Sequence, residues 1–269
     1  MSVATHPIHL AGGDVKFYGE NGYFIYKHAL LPRERFDALK AYFEEIVADL
    51  PSHARPEGMD TPHFAFPRLF EWLLADEVLD FVERFIGPDI VFWSSHFLCK
   101  PPGKGLAVPW HEDSSYWKGS LSEPKVITVW LAIDDSTVEN GCMRVIPGTH
   151  HGGFSDYEEV DKEKNVFGTQ IKSDQFDEGL AVDLQLRQGE CHLHHGRAIH
   201  GSNANTSVKR RCGYTMRYMT ADVKFTSNEN FSHAIYLARG QDRAGNTYTE
   251  PGTVYEPGKD RWHGGALSK

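Results

Sequence analysis

Gly189-Glu-Cys-His-Leu-His-His-Gly-Arg-Ala-Ile-His200-Gly-Ser-Asn-Ala-Asn-Thr-Ser-Val-Lys-Arg-Arg211 carries four histidines and closes on three consecutive basic residues. Glu190–His194 follows the Gln188-Gly189 turn and reads as a short strand; Cys212–Met219, just past the basic triplet, reads as another. Gly, Asn and Ser between them supply turns rather than helix. His192 and His194 alternate along their run, so both imidazoles face one side of a sheet and form a candidate metal pair, with no carboxylate nearby. His195 reads as a core histidine. Lys209 and Arg210 read as solvated turn charges, whereas Arg211 opens a strand and is expected to point inward.

Outward from this segment the texture repeats. Ile90–Leu98, Val126–Ile133, Cys142–Ile146 and Ala181–Arg187 are further short runs, separated by Pro101-Pro-Gly103, Glu139-Asn-Gly141 and Pro147-Gly148. Asn140-Gly141 and Pro147-Gly-Thr-His150 are first of all tight turns. Strands at this spacing predict a mainly β fold with flanking helices, as a barrel or a double-sheet sandwich. The helices are expected before residue 89. Pro32 opens one whose Phe36, Leu39, Phe43, Ile46, Val47 and Leu50 share a face, and Pro51 ends it. Asp76 is expected to cap a second, with Leu79, Val82, Phe85 and Ile86 inward and Gly87 past its end. Gly22–Tyr26 suits a strand, residues 1–22 a loosely attached lead-in, and 51–67 a surface loop. The charged insert 150–180 reads as a lid or a surface loop. No internal repeat divides the chain, so a single domain is expected over 1–269: helical support (1–88), β core (89–220) and a C-terminal extension (221–269).

Composition narrows the function. The 269 residues hold 28 Lys+Arg against 37 Asp+Glu, a net charge of −9, so no positive field collects phosphates and nucleic acid is not an expected partner. No stretch approaches the roughly 18 apolar residues of a membrane span. The four cysteines lie far apart without a Cys-x-x-Cys pair, which suits free thiols in a reducing cytosol. Met1-Ser-Val-Ala-Thr-His6 does not read as a secretory signal, and Leu267-Ser-Lys269 is not the peroxisomal tripeptide, so a cytoplasmic location is expected.

Fifteen histidines are the unusual number. Trp110-His111-Glu112-Asp113 offers His111 and Asp113 at i and i+2, which point to the same side of an extended segment. One such pair arises by chance in this composition. A third ligand from the distant histidine-rich segment would complete a two-histidine, one-carboxylate face with open positions, which suits non-haem Fe(II) and also permits zinc.

Four motifs in order carry a resemblance: His111-x-Asp113; Val129-Trp-Leu-Ala-Ile-Asp-Asp135; Asn140-Gly-Cys-Met-Arg-Val-Ile-Pro-Gly-Thr-His150; and His200-Gly-Ser with Arg211. Across about residues 90–220 the chain resembles the phytanoyl-CoA dioxygenase family of Fe(II)- and 2-oxoglutarate-dependent oxygenases. The resemblance implies a double-stranded β-helix core (jelly-roll, cupin-like). It also implies catalytic metal ligation by His111, Asp113 and His200, and Arg211 on the far carboxylate of 2-oxoglutarate, with Ser202 adding a hydroxyl. It places Trp130, Lys100 and His96 along the cosubstrate pocket.

The implied reaction consumes O2 and 2-oxoglutarate, releases succinate and CO2, and hydroxylates an unactivated C–H of a small-molecule substrate. Because related halogenating enzymes lack the carboxylate, Asp113 favours hydroxylation. Tyr116, Trp117, Arg144 and Arg217 are the candidate substrate contacts, and Glu112 with Tyr116 and Trp117 would suit a cationic group. Three other readings are a zinc hydrolase using Glu112 as base, a non-catalytic cupin-like metal binder needing neither Arg211 nor Ser202, and a partner-binding module resting on the acidic run 155–163. Neither substrate identity nor oligomeric state can be read from the sequence.

Overall fold

Polar and apolar side chains alternate along Arg211–Thr220, with Cys212, Tyr214, Met216 and Tyr218 on one side and Arg211, Gly213, Thr215 and Arg217 on the other. In most two-layer β proteins the apolar side would face the opposing sheet. Here it faces helices, and the polar side lines the interior. The computed structural model, which describes residues 6–50, 59–227 and 234–252, shows how this arises.

The strands are Tyr23–Tyr26 (β1), Met59–Asp60 (β2), Ile90–Lys100 (β3), Val108–His111 (β4), Val126–Ala132 (β5), Met143–Val145 (β6), Tyr157–Glu159 (β7), Thr169–Ile171 (β8), Val182–Leu184 (β9), Cys191–His195 (β10), His200–Ser202 (β11), Arg211–Thr220 (β12) and Tyr236–Arg239 (β13). The α-helices are Asp14–Asn21 (α1), Arg33–Ala48 (α2), Phe70–Leu73 (α3), Asp76–Ile86 (α4) and Asp113–Tyr116 (α5). A large antiparallel sheet runs β1-β10-β5-β12-β3-β13, with β2 also on β3; a smaller one runs β4-β11-β6-β9, and β7 pairs with β8. The two opposed sheets make the jelly-roll core. Tyr23 of the large sheet meets Met143, Val145 and Leu184 of the small one, which closes one end of the interior.

The main core lies outside the barrel. Phe36, Leu39, Phe43 and Ile46 of α2 and Val78, Leu79, Phe81 and Val82 of α4 bury against Val129 and Leu131 of β5, Cys191 and Leu193 of β10, and the apolar row of β12. Phe97 and Tyr214 stack with ring centroids 4.0 Å apart in the same layer. Apolar burial at about 25 cal/mol per Å² makes this layer the chief source of stability.

Several expectations are corrected. The lead-in contains α1, a two-turn helix anchored by buried Tyr18 and ended by Gly22 at φ 74°; with one buried residue it leaves no period to read. Of the expected loop 51–67, residues 51–58 lie outside the described residues, while Met59, Thr61, Pro62, His63 and Phe64 are buried rather than on the surface. α2 ends at Ala48, and Pro51 is outside the described residues. Asp76 does not cap α4: it is the first helical residue, after Ala75, and pairs with Arg239 at 3.0 Å. Within the expected C-terminal extension, β13 pairs antiparallel with β3. Among the described residues, no helix is long and apolar enough to cross a membrane.

Candidate metal and cosubstrate site

His111 ends β4 and His200 begins β11, and the two are direct cross-strand partners. Their ring centroids are 4.1 Å apart. Glu112 between His111 and Asp113 is extended (φ −120°, ψ 127°), so the i and i+2 side chains share a side, as expected. Oδ1 of Asp113 lies 3.6 Å from Nε2 of His111 and 3.8 Å from Nε2 of His200. All three potential ligand atoms fall within 4.8 Å of one another, and the three residues are buried.

The tautomers suit ligation. Nδ1 of His111 donates to the Pro109 carbonyl and Nδ1 of His200 to the Ala198 carbonyl, each at 2.8 Å, which leaves both Nε2 lone pairs facing Asp113. Burial, with His111 alongside, depresses His200 well below the ordinary histidine range, so it stays neutral. Burial alone would raise the Asp113 carboxyl, but the contacts around it, the Arg217 guanidinium foremost, outweigh it and hold the group well below the usual carboxylate range. Two imidazoles and one carboxylate on a single face fit Fe(II) with positions left open. Glu112 faces away, accepting from Ser115 Oγ at 3.0 Å and Ser155 N at 2.7 Å, so it does not point at the site as the general base expected of a zinc hydrolase.

A cavity of about 270 Å³ runs from this triad to Arg211. Arg211 is buried, donates to the carbonyls of Gly141 and Leu98, and has its guanidinium 5.5 Å from the Trp130 ring centroid. Burial lowers it only to about 10, so it is charged at neutral pH. Lys100 pairs with it across the β3–β12 ladder and donates to the Asn203 carbonyl at 2.5 Å. Burial, and then Arg211, push the Lys100 ammonium down to about 6. Trp130 reaches this position because residue 213 is glycine: a Cβ there would stand 2.1 Å from the indole. Ser202 and His96 also line the cavity, with His96 Nδ1 3.6 Å from Asp60.

The expected substrate contacts are split. Arg217 lines the cavity, its Nε 3.3 Å from Oδ2 of Asp113. Tyr116 is at the surface, its ring 6.1 Å from that of His111. Trp117 packs instead on Trp93, and Arg144 lies apart, bonded to Glu178 at 2.7 Å and stacked over Trp110. With Glu112 turned away and Trp117 behind, the expected cation-binding cluster does not assemble.

Three features were not anticipated. His194 Nε2 lies 3.8 Å from Asp113 Oδ2, and its ring borders the cavity. His192 lies parallel to Trp130, 5.2 Å away, and neither of its ring nitrogens has a partner among the described residues. The two histidines therefore flank the site. Val166 and Phe167 of the insert reach the cavity because residues 164–166 bond to Ala107, which sets the Phe167 ring 5.1 Å from His111. Only the alternation of His192 and His194 was visible in the sequence. Arg210 is also not a solvated turn charge: it bonds Glu44 of α2 and Asp134.

Comparison with known proteins gives the same chemistry. A family model described as phytanoyl-CoA dioxygenase (PhyH) matches residues 18–213. The human peroxisomal phytanoyl-CoA dioxygenase is 28% identical over 248 residues, 82% of this chain and 73% of its own. A probable alpha-ketoglutarate-dependent hypophosphite dioxygenase of Stutzerimonas stutzeri is 29% identical over 169 residues, 61% of this chain and 57% of its own. Among solved structures, the apo non-heme monooxygenase ThoJ matches with a TM-score of 0.71 at 26% identity over 90% of both chains. The non-heme alpha-ketoglutarate-dependent carbocyclase SnoK, from nogalamycin biosynthesis, matches at 0.63 and 25% identity over 80% of this chain and 86% of its own.

Proposed function

The chain belongs to the phytanoyl-CoA dioxygenase family and is a 2-oxoglutarate-dependent non-haem iron dioxygenase; on that premise we propose how its residues divide the work. His111, Asp113 and His200 hold Fe(II). Arg211 binds the far carboxylate of 2-oxoglutarate, with Lys100 and Ser202 beside it and Trp130 as a wall. The observation that carries this reading is one cavity with the triad at one part and a buried, charged guanidinium at another.

When bound, the iron supplies O2 activation coupled to decarboxylation of 2-oxoglutarate to succinate and CO2. The chain's own residues bind, orient and exclude water. The planar guanidinium of Arg211 can give two parallel charge-assisted bonds to a carboxylate, which fixes the cosubstrate's direction. Arg217 and His194 lie against Oδ2 of Asp113, which leaves Oδ1 toward the two imidazoles. Leu98, Val108, Met143, Val166 and Phe167 keep the cavity dry, which strengthens each polar contact inside it.

With Asp113 present, we read the outcome as hydroxylation of an unactivated C–H in a small molecule. Four buried free cysteines support a reducing compartment, the cytosol in our reading. The test needs no substrate: Fe(II) and then 2-oxoglutarate are added to metal-free protein under nitrogen while the visible spectrum is scanned. A charge-transfer band that needs both additions and is lost in His200→Ala is expected. Iron bound with no band would overturn the cosubstrate assignment.

A further inference from the structure

The cavity is lined by two guanidinium groups, Arg211 and Arg217, and the reading above uses the first for the cosubstrate. Arg211 and Arg217 stand six residues apart on the inner face of β12, which is about 20 Å of strand. Arg211 is satisfied by two carbonyls. Arg217 gives its Nε to Asp113, and no described residue accepts from its two terminal nitrogens. Its side chain is 11% exposed, borders the cavity, and is held with its guanidinium 5.7 Å from the Trp117 ring centroid.

Among the described residues lining the cavity, Asp113 is the one acid beside Arg217. Thr215 is the next inward residue on β12, His96 faces it across the ladder, and His194 lies on the other side of Asp113. Asp113 is the only carboxylate among the described residues lining the cavity, and both its oxygens are engaged. Asp60, the partner of His96, does not line it. With Fe(II), Asp113, Arg217, Arg211 and the 2-oxoglutarate dianion in place, the formal charges leave the cavity net positive before Lys100 is counted. A nearly dry, net positive cavity admits an anion and rejects a cation.

We propose that the substrate is a small anion, bound through a carboxylate, phosphonate or sulfonate by the terminal nitrogens of Arg217, with a short apolar body against Met143, Val166 and Phe167. The proposal rests on the reading above, which assigns the Arg211 end to 2-oxoglutarate. Two terminal N–H groups in a fixed fork match the two oxygens of an oxoanion. About 270 Å³ shared with the cosubstrate is below the roughly 300–1,000 Å³ of ordinary ligand pockets, so the apolar body is a few carbons long.

The test uses the Fe(II)–2-oxoglutarate band of the intact protein under nitrogen, with 2-oxoglutarate in excess. Butanoate, hexanoate and propylphosphonate are titrated against hexanamide and hexylammonium. The anions are expected to shift the band saturably, hexanoate at a concentration roughly tenfold or more below hexanamide. That ratio is expected to fall toward one in Arg217→Met, whereas Arg217→Lys, which keeps a cation beside Asp113 but loses the fork, is expected to retain part of it. Each ratio is taken within one protein, so weaker iron binding cancels. An amide or ammonium that shifts the band as well as the anions overturns the proposal. So does a ratio unchanged in Arg217→Met, a band bleached rather than shifted, or no shift with any probe. Absence of the band before any probe is added counts instead against the 2-oxoglutarate assignment.

Discussion

At Asp113 the two carboxylate oxygens have different neighbours, Oδ1 the imidazoles of His111 and His200, Oδ2 the Arg217 guanidinium and His194. The same division of tasks holds at the other end of the cavity, where Arg211 and Lys100 sit together but differ in charge. Arg211→Ala is expected to leave iron bound and weaken 2-oxoglutarate by about 2–5 kcal/mol, or roughly 30- to 5,000-fold, in anaerobic calorimetry. Lys100 makes that binding depend on pH. Its free-state ammonium is pushed down to about 6, whereas a carboxylate beside it favours the charged form. Above that value 2-oxoglutarate therefore takes up a proton on binding, and its affinity rises as pH falls toward 6, by up to about tenfold per unit, and then levels off. Calorimetry in buffers of different ionisation enthalpy checks this, with Lys100→Met expected to remove the dependence. His111, Asp113, His200 and Arg211 could be singled out in the sequence because four motifs in order carry the family resemblance, and the structure brings the first three together. His194 and Phe167 were not, because only the cross-strand pairing of β10 and the bonds to Ala107 bring them to the cavity.

At the scale of elements, β12 carries both Arg211 and Arg217, and between them Gly213 lies against the Trp130 indole. Its missing Cβ is what lets the Trp130 indole lie against the strand. Gly213→Ala is expected to displace Trp130, weaken 2-oxoglutarate at least tenfold, and cost about 1–3 kcal/mol as overpacking, read by calorimetry and denaturant titration. Strand positions were legible because turn residues bracket them, and α2 because its apolar period is long. The two-turn α1 was not, with only Tyr18 buried. Arg210 was misread because a basic run looks solvated in sequence. The period of two along the strand turns it opposite to Arg211, toward Glu44 on α2.

For the molecule as a whole, stability and chemistry lie on opposite sides of one sheet. Leu39→Ala, on the helix-facing side, is expected to cost about 2–5 kcal/mol. It should lower the melting temperature by roughly 2–4 °C per kcal/mol, while the Fe(II)–2-oxoglutarate band forms as before. Loss of the band with no change in melting would contradict the separation. The inner residues Thr215, His96 and Arg217 line the cavity, on the face of the sheet away from the apolar helix layer. A lineage can therefore exchange them, and drift to a new substrate, without approaching its unfolding threshold. In this barrel the wall that faces outward is inherited for folding, and the wall that faces inward is left open to innovation.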